Sequence, residues 1–269
     1  MDLRKQFENL PFKDDFMFGA VMRDPDIAKK FLQVVLASDI PEIEYCELQR
    51  TTKLDADSHG VRYDVYVMTD NGRKVYNIEM QTTDRGDLAK RSRYYQAADD
   101  IDFLDRGHMY NELPETYIIF VCDFDLFGKD RALYRFENYC VQEDIPLSDK
   151  TYKYFLNTGG KTERKELYNL MSYIKNNVPN DKFTEEIQDK VDVVRHDGEL
   201  FSSYIKRNQN AMQLKAEGRA EGRAEGRAEG RDEGTSAILK KLFDLGNSVK
   251  NLASMFEMPE KEVERLLAI

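Results

Sequence analysis

Cysteine and histidine are scarce in this chain of 269 residues, with three of each, and long apolar runs are missing. Cys46, Cys122 and Cys140 are scattered, odd in number and without a CxxC spacing, which excludes a disulfide framework and a thiolate zinc site. They read as reduced thiols, and a cytoplasmic location is expected. His59, His108 and His196 have no mutual spacing that suits zinc, and they are read as incidental. The opening segment, Met1 to Phe7, carries no signal-type apolar stretch, and the longest apolar runs, such as 117–122, are strand-sized, so no membrane partner is expected. Basic charge is also in deficit: 40 Lys and Arg against 50 Asp and Glu leave a formal net charge of −10. Non-specific affinity for nucleic acid comes mainly from neutralising phosphates, so any such surface here must be local.

The chain is long enough for one sizeable core plus a helical appendage. Apolar residues at helical spacing (Phe18, Val21, Met22, then Ile27, Phe31, Val34, Val35) predict two short helices. They are divided at Asp24-Pro25, a cap followed by proline at the first helical position. Strand-like runs follow at 43–49, 61–69 and 74–81. Residues 87–105 read as a helix, 117–122 as a central strand, and alternation returns at 133–141 and 152–156. This order predicts an α/β domain. From 162 to about 215 the pattern is helical, with Leu167, Leu170, Met171 and Ile174 on one face.

Between the second and third strand-like runs stands Asp70-Asn71-Gly72-Arg73, and Asn-Gly is a strong two-residue hairpin signal because both positions tolerate positive φ. With Asn71 and Gly72 as the loop, Tyr66 pairs with Asn77, Asp64 with Glu79, and Arg62 with Gln81. Like charges directly opposite each other destabilise a sheet, so Asp64 and Glu79 predict a cation between them, unless Arg62 or Lys74 relieves the pair. Oxygen ligands point to Mg²⁺ or Mn²⁺.

Residues 216–230 repeat Ala-Glu-Gly-Arg, extended imperfectly through 234. A helix of ~3.6 residues per turn would set glutamates and arginines in separate, slowly drifting rows. Like charges then stand at i,i+4, and each glycine costs ~1 kcal/mol relative to alanine. Two readings stay open: an oligomerisation helix, in which a second copy sets its acidic row against this basic row, and a solvated spacer. Residues 235–269 read as three helices divided at Leu245-Gly246-Asn247 and Pro259, a helix-turn-helix-like spacing. Its last helix carries Glu260, Glu262 and Glu264, which would repel phosphates, so packing or dimerisation is favoured over base reading.

The order of an acidic residue on the first helix (Asp15, with Asp14 competing), then Asp64, then Glu79-Met80-Gln81, then a basic helix from Arg91 to Tyr95, resembles the PD-(D/E)XK nuclease superfamily. It is closest to the Rpn (recombination-promoting nuclease, putative transposase) branch, and residues 118–128 belong to the likeness. The resemblance implies a restriction-endonuclease-like core, a mixed central sheet flanked by helices, over 1–160. A helical extension (161–215), the repeat (216–234) and a small helical tail (235–269) would follow. It also implies metal-dependent hydrolysis of DNA with low sequence specificity, in recombination, mobile-element biology or defence. Asp64, Glu79 and the Met80 carbonyl would hold Mg²⁺, and Asp15 would support them. Gln81 stands where many superfamily members carry lysine; it cannot supply charge, which falls to the metal and Arg93. Arg91 and Arg93 are candidate DNA contacts, against the plainer reading of a solvated helix face. Tyr94 and Tyr95 read as packing groups. A homodimer through the repeat and tail is expected, because cutting both strands with one site per chain requires two chains or two events. The alternatives are a catalytically inactive or regulated DNA-associated assembly module, and a transposase-related protein.

Overall fold

The computed structural model describes residues 3–48, 51–52, 61–104 and 109–268; His59 and His108 lie outside the described residues. Three helices open the chain: α1 (Leu3–Glu8), α2 (Asp15–Met22) and α3 (Pro25–Leu36). Asp14 caps α2 by accepting the amides of Phe16 and Met17 at 3.0 and 3.3 Å. Asp24 caps α3 in the same way, with Pro25 at its first turn. Strands β1 (Ile43–Leu48), β2 (Thr51–Thr52), β3 (Val61–Arg62), β4 (Val65–Thr69) and β5 (Lys74–Gln81) lead to α4 (Leu88–Phe103) and β6 (Glu115–Cys122). After β7 (Leu133–Phe136), β8 (Tyr139–Cys140), β9 (Ile145–Pro146) and β10 (Thr151–Asn157), the chain turns helical: α5 (Lys165–Asn176), α6 (Lys182–His196), α7 (Gly198–Asp244), α8 (Val249–Met255) and α9 (Glu260–Leu267).

The main sheet has the order β1-β4-β5-β6-β10-β7, antiparallel from β1 to β5, parallel across β5, β6 and β10, and antiparallel again at β7. The hairpin register is the expected one, with Tyr66 opposite Asn77 and Val65 opposite Ile78. Its turn holds Asp70, Asn71 and Gly72 at φ of 58, 54 and 74°, and the Arg73 amide donates to the Asp70 carbonyl at 3.1 Å. The run 61–69 is not one strand, however. Val61–Arg62 pairs with Thr51–Thr52 in a separate ladder, and the chain breaks at Tyr63-Asp64. Two side chains account for the break: Tyr63 is buried under α4, with its hydroxyl donating to Asp99 at 2.6 Å, and the Asp64 carboxylate takes the Met80 amide.

Period-two alternation divides the sheet residues between two cores. Val65, Val67, Tyr76, Ile78, Met80, Ile119 and Val121 pack with buried residues of α2, α3, α5 and α6. Tyr66, Val75, Ile118, Phe120 and Phe155 pack with Leu88, Tyr95 and Ala98 of α4. Leu167, Leu170, Met171 and Ile174 of α5 all join the first core. This is a mixed sheet flanked by helices, followed by a helical C-terminal region.

The chain divides into two compact units, Met1–Tyr204 and Ile205–Ile269. In the second, Leu239, Leu252, Ala253, Val263 and Leu266 form a small core. Gly246, at φ 94°, follows α7, and Ser248 caps α8. The Ala-Glu-Gly-Arg repeat lies wholly within the helix α7, and its described charged side chains are exposed. No described helix is long and apolar enough to cross a membrane.

Candidate functional site

Strand β5 is buried along most of its length, and its odd-numbered polar residues all address α4. Asn77 donates to Asp99, a residue 3% exposed that also accepts from Tyr63. Two positions along, Glu79 and Gln81 both meet Arg91. The hairpin brings in the fourth partner. The Asp64 amide donates to Glu79 Oε1 at 2.9 Å, and Asp64 Oδ2 accepts the Met80 amide at 3.1 Å. Asp64 and Glu79 are therefore held side by side by the main chain at the point where β4 begins.

Glu79 is 3% exposed. Burial, and next the neighbouring Asp64 carboxylate, push its carboxyl well above the usual range, against the pull of the Asp64 amide and Arg91. Arg91 donates through Nη2 to Glu79 Oε2 at 3.3 Å and through Nη1 to Gln81 Oε1 at 3.2 Å. Its Cζ lies 5.4 Å from the Tyr95 ring centre and 5.2 Å from that of Phe120, so the guanidinium is packed among rings as well as ion-paired. Arg93, on the same helix, is exposed, as is Tyr94. The side chain of Arg62, a possible relief for the acidic pair, lies outside the described residues.

Asp15 is exposed at the start of α2, while Asp14 spends its carboxylate on the helix cap. Among the described residues no three His, Cys, Asp or Glu gather as a metal-holding group, so Asp15 does not stand as a third direct ligand beside Asp64 and Glu79. A neighbouring connection runs through Asp123. Lys13 donates to Asp123 Oδ2 at 2.7 Å, Thr158 Oγ1 donates to Asp123 Oδ1 at 2.8 Å, and the Asp123 amide donates to the Gln81 carbonyl at 2.9 Å. Asp123 thus ties the approach to α2 and the end of β10 to the end of β5. The alternating pattern of the strands carries no signal for this link, because its partners are 110 and 35 residues away.

The donor set is oxygen only. Each Glu79 oxygen accepts one hydrogen bond, and each carboxylate oxygen has a second lone pair. Among the described residues these two carboxylates meet one guanidinium, that of Arg91, and an all-oxygen donor set suits a hard divalent cation. Burial pushes the Cys122 thiol up to about 12 and the Cys46 thiol to about 11, which suits neither to nucleophilic work.

No curated protein and no solved structure gave a significant match to the chain. The model of a family described as PD-(D/E)XK nuclease family transposase does match, over residues 10–191, from just before α2 to within α6. That span is more than half of the chain and contains the β4–β5 hairpin, α4 and every strand of the main sheet, and this chain belongs to that family.

Proposed function

We propose that the protein is a divalent-metal-dependent DNA endonuclease, using Mg²⁺ or Mn²⁺, that hydrolyses phosphodiester bonds with little sequence specificity. The observation that carries this reading is the interlocked pair of Asp64 and Glu79, two carboxyl groups held side by side by the hairpin in a family of nucleases. Their carboxylates, with the Met80 carbonyl, would hold the cation, and Asp15 would act from the outer shell. When bound, the cation supplies Lewis acidity toward the phosphate and the attacking water. The remaining work falls to side chains. Gln81 orients the phosphate or the water by hydrogen bonds, and the exposed Arg93 on α4 attracts the DNA backbone. Low specificity is part of the proposal, because the last helix of the helix-turn-helix-like tail carries Glu260, Glu262 and Glu264, which would repel phosphates. A role in recombination, mobile-element biology or defence fits such an activity, as does a cytoplasmic location.

A second reading has one observation in its favour. Glu79 already has a cation, Arg91, beside it, as expected of an assembly module that has lost its metal. Strand transfer, as in a transposase, would additionally require recognition of element ends. Nicking of supercoiled plasmid by the full chain, with Mg²⁺ or Mn²⁺ and with EDTA, separates the readings: metal-dependent nicking supports the endonuclease, and its absence from folded protein supports the assembly module. A homodimer through the repeat and tail is part of the same proposal.

A further inference from the structure

Position 81 lacks the positive charge that the chemistry of phosphate hydrolysis calls for beside an acidic pair, and the structure supplies one by another route. Arginine has donors only, so the Gln81 atom at 3.2 Å from Arg91 Nη1 must be the amide oxygen. The amide NH₂ of Gln81 is therefore turned away from Arg91 and is available to donate elsewhere. The other prong of the fork, on Glu79 Oε2, fixes the guanidinium relative to the acidic pair, and the Tyr95 and Phe120 rings fix it relative to the helix and sheet. Arg91 itself is only 24% exposed, which suits a positioning group better than a groove-tracking DNA contact.

We infer that Gln81 and Arg91 together do the work of one lysine, the amide NH₂ making the near contact to phosphate or water and the guanidinium behind it supplying the charge. Arg91 is then a positioning residue acting through Gln81. Its hydrogen bond to the amide oxygen polarises the amide and sets its orientation, so charge reaches the reacting group without a flexible side chain. The same charge, fixed against Glu79, opposes the cation that Asp64 and Glu79 would hold. This inference rests on the nuclease reading above.

The test compares the full chain with Arg91→Met, Gln81→Lys and the double variant Gln81→Lys/Arg91→Met, reading plasmid cleavage and Mn²⁺ affinity by calorimetry without DNA. Arg91→Met should lose roughly 100-fold in cleavage rate, the scale of one removed charge-stabilising donor. It should also bind Mn²⁺ several-fold more tightly, because a competing cation is gone. The double variant should regain at least roughly tenfold of that loss, and its Mn²⁺ affinity should return toward wild type, because lysine restores donor and charge in one group. Arg91→Lys, which keeps a charge but cannot bridge both partners, serves if Arg91→Met does not fold; it should cleave more slowly than wild type without tighter Mn²⁺ binding. Wild-type cleavage by Arg91→Met or Arg91→Lys, or a double variant no better than the worse single one, would overturn the inference while leaving the nuclease reading intact. A wild-type chain that neither binds Mn²⁺ nor cleaves overturns both.

Discussion

The main-chain amide of Asp64 donates to Oε1 of Glu79 at 2.9 Å, so the hairpin itself holds the two acidic residues together. With little solvent around it and Asp64 beside it, Glu79 keeps its proton to a higher pH in the folded chain than its ordinary value of 4.5. Above that value the folded state binds more protons than the unfolded state, so this group's contribution to stability is lost as pH rises through the folded pKa. Glu79→Gln, neutral throughout, should flatten that loss. Urea midpoints across pH in EDTA check it; parallel pH profiles for the two proteins would contradict it.

Asp99 is the hub of a buried polar trio, accepting from Tyr63 and Asn77 under the hairpin. Asp99→Ala leaves both donors buried without that acceptor, and a loss of about 3 kcal/mol is expected. Asp99→Asn keeps the shape and one acceptor and should cost about 1 kcal/mol. Denaturant unfolding of the two variants measures the order, and a smaller loss for alanine would contradict it.

A Cβ on Gly160 would overlap the backbone of Arg131 and Ala132. That backbone cannot withdraw easily, because the Ala132 amide donates to the Lys161 carbonyl at 3.0 Å and the Lys161 amide to the Asp130 carbonyl at 2.8 Å. Gly160→Ala should cost about 2 kcal/mol or more. At Gly198, where nothing lies within 4 Å of a built Cβ, alanine should be neutral or slightly stabilising. Thermal midpoints that do not differ between the two variants would contradict the close approach.

The helix α7 carries the whole Ala-Glu-Gly-Arg repeat, with its described glutamates and arginines exposed and five glycines, Gly218, Gly222, Gly226, Gly230 and Gly234, that have open space beside them. If a second copy packs there, sedimentation should give a dimer for the full chain and a monomer for a chain lacking 216–269. Equal monomer masses would remove the dimer.

The hairpin was legible because one dipeptide, Asn71-Gly72, sets the register; the ladder runs to Val65 opposite Ile78, and the Asp64 amide completes the approach by donating to Glu79. The cap at Asp24, the break at Gly246 and the core face of α5 were legible for a similar reason, since each depends on a few adjacent residues. The break at Tyr63-Asp64 was not, because the residues that cause it, Asp99 and Met80, lie 36 and 16 positions away. Arg91 reads in sequence as one more charge on a basic helix. Its fork on Glu79 and Gln81 requires knowing that α4 lies over the odd-numbered face of β5. Asp123 is likewise a strand-end residue in sequence, and only the tertiary fold brings Lys13 to it.

Supercoiled-plasmid cleavage with Mg²⁺, Mn²⁺ or EDTA, using the wild-type chain beside Asp64→Ala and Glu79→Ala, decides whether Asp64 and Glu79 form a metal-dependent hydrolytic site. Metal-dependent nicking that falls by about 1000-fold or more in both folded variants is the predicted result. Folded wild type that leaves the plasmid intact in either metal, or nicking that survives both substitutions, would contradict it.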